Sequence, residues 1–161
     1  MALKIFLKLD GIPGESTDKK HKDEIDVQSW TWGMTQQLFH AGGGGGTSAG
    51  KAKFEDLQFI HRIDKASPAI MLACASGKHL KDATLTMRKV GKTPLEFLVI
   101  KLTSVLVTSV RDAGDEGTPG THETVTLNFA KIDVKYTPQT ASGAGGAAVH
   151  FKWDVQGNKP A

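Results

Sequence analysis

Apolar and polar residues alternate along most of this 161-residue chain, a pattern typical of β-strands that bury one face. The first alternating segment covers residues 3–9, and further segments lie at 24–33, 54–63, 83–88, 96–110, 125–136 and 149–155. Turns rich in glycine, proline and aspartate separate them. About seven to nine strands at such intervals predict a mainly β protein, a two-sheet β-barrel that is closed or nearly closed.

One short segment, residues 67–77, has helical rather than strand periodicity. Its apolar stripe consists of Ile70, Ala73, Cys74 and Gly77. Ser67 is predicted to be the N-cap, because its hydroxyl can accept from a backbone N–H of the first turn, and Gly77 can adopt the left-handed conformation that ends a helix. A helix this short is marginal in water by itself, so we expect it to pack across the open side of the barrel.

The segment 24–33 carries the first candidate functional residues. A two-residue period places four residues on one face, namely Ile25, Val27, Ser29 and Thr31. Because Ser29 and Thr31 are small and hydroxylated, we expect them to form a water-facing wall. The opposite face carries two tryptophans, which need a large apolar surface in the core or on a neighbouring subunit.

Residues 34–53 lack clear strand or helix periodicity and are predicted to be an extended loop. The loop contains five consecutive glycines, Gly42, Gly43, Gly44, Gly45 and Gly46. Ordering so many glycines costs much entropy, and a long loop inside a compact domain is usually functional or disordered. We therefore expect an arm that is loose in the monomer and becomes ordered on a partner. Residues 156–161 are interpreted as a polar tail.

The glycine-rich loop contains a near match to the phosphate-binding pattern G-x-x-x-x-G-K, from Gly45 to Lys51. Ala52 follows, however, where a serine or threonine hydroxyl normally holds Mg²⁺. The next residues are strand-like, so the helix N-terminus that should face the phosphates is missing. A nucleotide-binding enzyme is therefore disfavoured as the function of this chain.

Charge, cysteine and histidine content exclude several other classes. Twenty Lys+Arg against 17 Asp+Glu give an interleaved net charge of +3, with no basic stripe for nucleic acid. The lone cysteine excludes an internal disulfide, and the apolar runs are too short for membrane insertion.

The six histidines form no metal-binding motif, and His61 is expected to be a surface or hydrogen-bonded residue rather than a base. We expect no catalytic residue, metal or cofactor, and predict that the protein is not an enzyme. The N-terminal segment is interpreted as a strand rather than a signal peptide.

Several segments together resemble a known family. They are D-G-I-P-G-E-S from Asp10, I-D-V-Q-S-W-T-W-G from Ile25, A-C-A-S-G-K-H from Ala73, A-T-L-T-M-R-K from Ala83 and E-T-V-T-L-N-F from Glu123. In this order, across nearly the whole chain, they are similar to the haemolysin-coregulated proteins (Hcp), the tube subunits of bacterial type VI secretion systems. The resemblance implies a β-barrel with one helix that assembles as a six-membered ring. It also implies that rings stack into a tube, which a contractile sheath drives outward under a spike protein.

The resemblance further implies roles for individual residues. Ser29 and Thr31 match the strand that lines the channel in this family, where the ring holds and chaperones effectors. The glycine-rich arm is the candidate for ring-on-ring contact. The chain ends at Ala161 without a fused toxin, so effectors are expected to bind non-covalently. The implied location is the bacterial cytoplasm before firing, followed by secretion or delivery into target cells without a signal peptide. The alternative is a monomeric β-barrel that carries a small ligand.

Overall fold

The computed structural model describes residues 2–40, 42–117 and 120–161. The helix α1 spans Ser67–Ser76. The strands within the described residues are β1 Leu3–Leu9, β2 Ile25–Thr31, β3 Met34–Thr35, β4 Leu38–His40, β5 Thr47–Ala49, β6 Lys53–Phe54, β7 Leu57–Arg62, β8 Leu80–Lys89, β9 Leu95–Ala113, β10 His122–Tyr136, β11 Val149–Asp154 and β12 Lys159–Pro160.

Six antiparallel strands close into a barrel in the order β10–β7–β2–β1–β8–β9, because β9 also pairs with β10. The sheet continues beyond the barrel through β11 and β12. Strand β10 joins the two parts, since its first half pairs with β7 and its second half with β11. The prediction of a mainly β barrel with one short helix is confirmed, and the barrel strands belong to one sheet that closes on itself.

The inside of the barrel is filled with apolar side chains. Large, fully buried members of this core are Phe59, Leu7, Ile25, Leu57, Leu85, Ile100, Leu102, Leu127 and Ile132. Successive residues of a strand point to opposite faces, so every second residue of the barrel strands contributes to the core. Because side chains suffice to fill the interior of even an eight-stranded barrel, this narrower one is a packed core rather than a ligand cavity.

Helix α1 agrees with the prediction at its C-terminus and differs at its N-terminus. Gly77 adopts the left-handed conformation, with φ 65°, and caps the helix. Ser67 is not the N-cap: it is the first helical residue, and its buried hydroxyl accepts from the Asp64 N–H at 3.1 Å. Ser67 therefore closes the turn before the helix. Ile70 and Ala73 are buried, as their spacing predicted, and α1 packs against β9.

Candidate functional site

Strand β2 contains a bulge that decides which of its residues face the solvent. The register of the β2–β7 ladder shifts between Val27 and Ser29, which makes Gln28 an extra residue. An extra residue reverses the face on which later residues lie. Ile25 and Val27 are therefore buried, whereas Ser29 and Thr31 are exposed on the outside of the barrel. The prediction that these four residues share one face is wrong.

The same bulge turns Trp30 toward the core. Trp30 pairs with the buried Phe59, and its indole N–H donates to Met87 Sδ at 3.1 Å. Trp32 packs against Phe54, with ring centroids 6.2 Å apart. The apolar surface that the two tryptophans need is therefore provided by this chain's own residues rather than by a neighbouring subunit.

Ser29 and Thr31 belong to a larger polar surface that crosses three strands, which we call the outer wall. Its six uncharged members are Ser29, Thr31, Gln58, Ile60, Thr124 and Thr126. A shallow depression of about 80 Å³ lies over the β2–β7 part of this wall. The members on β7 and β10 were not recognised from the sequence. They could have been found from the two-residue alternation of their strands, because each lies between two neighbours that are buried.

Hydrogen bonds fix both ends of the outer wall. At one end the Asp56 carboxylate accepts from the Thr108 hydroxyl at 3.0 Å and from the Asn128 amide at 2.9 Å. At the other end His122 Nδ1 lies 2.9 Å from Gln28 Oε1. Asp56, just before β7, is thereby tied to β9 and β10, and His122 on β10 is tied to Gln28 on β2 across the intervening β7.

The glycine-rich segment forms a hairpin, which we call the arm. Strand β3 pairs with β6 at its base, and β4 pairs with β5 further out. Ala41 lies outside the described residues, and the turn next to it includes Gly43 and Gly44 with φ 92° and 94°, values that favour glycine. Near the outer ladder, Leu38 and Phe39 expose 63% and 55% of their surface. The arm therefore presents apolar side chains to the solvent.

A row of aromatic rings anchors the base of the arm to β11. The rings follow one another in the order Trp32, Phe54, Trp153 and Phe151, with centroids 6.2–6.4 Å apart. Such contacts add packing energy beyond the burial of apolar area. The sequence predicted β11 as a strand but not its contact with the arm, because Trp32 and Trp153 are more than 100 residues apart in the chain.

The charged loop between β1 and β2 is tied to the barrel rather than free in the solvent. The Arg88 guanidinium donates to the Asp18 carboxylate and holds the pKa of that carboxyl well below its usual range. His21 stacks on Phe6, with centroids 4.3 Å apart. Its Nδ1 and Nε2 each lie 2.7 Å from a carboxylate oxygen, of Glu24 and Glu96 respectively. These contacts explain why Phe6, on the polar parity of β1, is fully buried.

The phosphate-loop-like sequence and His61 both have defined places in the fold. Strand β5 occupies Thr47–Ala49 inside the phosphate-loop-like sequence, so this part of the pattern is a hairpin strand. Within the described ranges, no group of three His, Cys, Asp or Glu side chains is placed to hold a metal ion. Of the two expectations for His61, a surface residue or a hydrogen-bonded one, the structure shows a buried residue whose Nε2 lies 2.8 Å from Glu123 Oε1. In the same part of the chain, no helix has the length and apolar character needed to cross a bilayer.

Comparisons with known proteins match the chain over nearly its whole length. A family model described as "Type VI secretion system effector, Hcp" matches residues 6–136. The protein hcp1 of Pseudomonas aeruginosa is 48% identical over 160 residues, which is 98% of each chain. The crystal structure of Hcp1 from Salmonella typhimurium is 38% identical, with a TM-score of 0.80 and all of both chains covered. A structure described as that of a type six secretion system protein has a TM-score of 0.92 at 29% identity, covering 98% of this chain and 99% of that one.

These matches agree with the geometry described above. The family match covers β2 with its bulge, the arm, α1 and all of β10. The family model describes a type VI secretion protein rather than a class of enzyme. The resemblance noted in the sequence motifs is confirmed. The chain belongs to the Hcp family of type VI secretion system proteins.

Proposed function

We propose that this protein is a structural subunit of the type VI secretion tube, which forms six-membered rings, stacks them and carries non-covalently bound effectors. The observation that supports this most directly is the outer wall. Apart from Ile60 its named members are uncharged polar residues, and they lie outside a barrel whose interior is filled. Only an assembly of several subunits can turn such an external wall into an enclosed channel.

The filled interior disfavours the alternative, a monomeric barrel that carries a small ligand. A ligand inside the barrel would have to displace core side chains such as Phe59 and Leu127, which are fully buried. Displacing a core side chain of this size costs several kcal/mol. A cargo surface on the outside, where Ser29 and Thr31 lie, needs no such cost.

We assign ring-on-ring contact to the arm. Leu38 and Phe39 are apolar and exposed, and exposed apolar groups gain free energy when a partner covers them. The glycines 42–46 let the tip adopt the conformation that a neighbouring ring requires. The further partners proposed are a spike protein at the tube tip and a surrounding contractile sheath. The proposed location is the bacterial cytoplasm before firing, and afterwards the exterior or the target cell.

Oligomeric state is the first test. We expect light scattering after size exclusion to give six times the 17.2 kDa chain mass, and electron microscopy to show rings with a central channel. A monomer at micromolar concentration would contradict the proposal. Deleting residues 42–46 should leave rings intact and impair their stacking, and loss of the rings themselves would contradict the role given to the arm.

The role of the outer wall is tested by Thr31→Gln, which lengthens an exposed wall residue. We expect rings to form as in the parent and effector retention to fall, measured by mass spectrometry of what co-purifies from the native host. Thr84→Gln is the matched control, because β8 lies three strands from β7 in the closed order. Equal retention in the two variants would remove Thr31 from the cargo surface.

A further inference from the structure

Two titratable side chains face each other inside the barrel, His61 on β7 and Glu123 on β10. Both are fully buried, and they stand directly opposite each other in the β7–β10 ladder. His61 Nε2 lies 2.8 Å from Glu123 Oε1. A charged group in such surroundings is costly unless it is paired, so the protonation state of this pair affects the stability of the barrel. Neither residue belongs to the outer wall or the arm.

Each member of the pair has one further polar atom without a hydrogen-bond partner, His61 Nδ1 and Glu123 Oε2. His61 Nδ1 is 3.9 Å from Asp64 Oδ1, which is beyond hydrogen-bond distance. Asp64 lies in the turn before α1, where its carboxylate accepts from the Ala66 N–H at 2.9 Å. The pair therefore lies at the junction between the barrel wall and the start of the helix.

The charged groups around this junction are mainly carboxylates. Asp112 on β9 faces Glu123, and both Glu15 and Asp26 face Asp64. Burial raises the pKa of the Glu123 carboxyl and the Asp112 carboxylate raises it further, while the hydrogen bond with His61 acts in the opposite direction. Burial also raises the pKa of Asp64, against the hydrogen bond from Ala66. The nearby cations are Arg62, on the exposed parity of β7, and Lys65, which follows Asp64 in the turn and whose exposed ammonium lies 4.0 Å from Asp23 Oδ1.

We propose that His61 and Glu123 form a one-proton site that ties the start of α1 to the barrel wall. With the extra proton the pair is neutral overall, and His61 Nδ1 carries an N–H that faces the Asp64 carboxylate. Without that proton, neutral His61 donates its Nε2–H to an ionised Glu123. The pair then holds a net charge of −1 inside the core, and the lone pair of Nδ1 faces the carboxylate of Asp64.

The direction of the pH effect follows from this proton count. The unfolded chain loses the corresponding protons at ordinary values, about 4.3 for glutamate and about 6.5 for histidine. Loss of the proton leaves a net charge of −1 in the core, which burial disfavours, so the folded chain keeps the extra proton to higher pH than the unfolded chain does. The stabilisation is therefore complete below the unfolded values and is lost as the pH rises through the folded value. One proton of difference changes the unfolding equilibrium constant about tenfold per pH unit.

The test uses the full chain with Glu123→Gln, which keeps the size and an acceptor oxygen but cannot ionise. Asp133→Asn is the matched control, because Asp133 pairs with His150 at the same 2.8 Å on the surface. Urea unfolding between pH 6 and pH 9, at fixed protein concentration, gives the unfolding constant. We expect that constant to rise with pH, by up to about tenfold per unit, in the parent and in the control, and to rise clearly less in Glu123→Gln.

Nitrogen NMR of the histidine rings supplies a readout that does not depend on any variant folding. In the parent, His61 Nδ1 should lose its proton in the same pH range in which the unfolding constant rises. Amide exchange of the Ile70 N–H, which donates to the Ala66 carbonyl in the first turn of α1, should become faster in that range relative to the last turn. A His61 Nδ1 that does not change protonation between pH 5 and pH 9 would overturn the proposal. An unchanged slope in Glu123→Gln would overturn it as well.

Discussion

Replacing Ile70 with alanine tests how firmly the helix is docked on the barrel. Ile70 is 0% exposed and lies in the hydrophobic core, where α1 packs against β9. The substitution removes three carbon atoms, for which the transfer term alone is about 2.4 kcal/mol at about 0.8 kcal/mol per methylene. The cavity that remains adds to this value, so we expect a loss of about 3–4 kcal/mol.

Leu72→Ala is the matched control, since it removes the same number of carbon atoms from the same helix. Leu72 is 68% exposed, so its truncation loses little burial, and alanine is as good a helix former as leucine. We expect a change within about 0.5 kcal/mol. Urea unfolding followed by tryptophan fluorescence measures both values, at one fixed protein concentration because any association of folded chains would make the measured stability depend on concentration.

The difference between the two variants in unfolding free energy shows how much burial of Ile70 stabilises the helix. For a domain of this size, about 3 kcal/mol corresponds to a fall in Tm of about 6–12 °C, which a thermal scan resolves easily. A loss below about 1 kcal/mol for Ile70→Ala, or equal losses for the two variants, would show that α1 is not held by burial in the barrel core. In that case the helix would have to be stabilised by contacts outside the single chain.

Three further predictions concern the turn before the helix, the arm and the charged loop. Ser67→Ala should cost about 0.5–1.5 kcal/mol in the same urea assay, because it removes the hydroxyl that accepts from the half-buried Asp64 N–H. Gly50→Ala should displace the Phe39 side chain, since an added Cβ would lie 2.5 Å from its aromatic ring. The proposed six-membered assemblies should persist, while sedimentation should show fewer stacked tubes. An unchanged amount of stacked tubes would contradict this prediction. Arg88 lowers the pKa of Asp18, so this contribution to stability is present above the usual aspartate value and is lost as the pH falls below it. Asp18→Asn should therefore flatten the acid side of a Tm-against-pH curve between pH 2 and pH 6.

The sequence predicted those elements whose signal is local and repeated. Helix α1 has Ser67 and Pro68 at its start, Ile70 and Ala73 on one buried stripe and Gly77 at its end, and these signals depend on neighbouring residues alone. The long strands were recognisable for the same reason. The arm ladders were not, because strands of two or three residues are too short to show alternation.

The errors arose where one residue or one distant contact decides the structure. The bulge at Gln28 leaves no mark on a two-residue pattern, because a polar residue is acceptable on either side of the shift. Ser67 was placed correctly at the helix start, but its hydroxyl partner depends on the fold of the preceding turn. The burial of Glu123 had a detectable signal, since it shares its parity with Val125 and Leu127, the apolar residues of β10.

The division of each barrel strand between a filled inside and a polar outside has a consequence for how this protein can diverge. Positions such as Thr31 and Gln58 alternate with the residues that hold the fold together, but they do not contribute to its core. Substitutions at these outward positions away from special contacts usually change stability by less than about 0.5 kcal/mol. The outer surface of descendants of this chain can therefore change in small steps, while the same inner residues continue to encode the barrel.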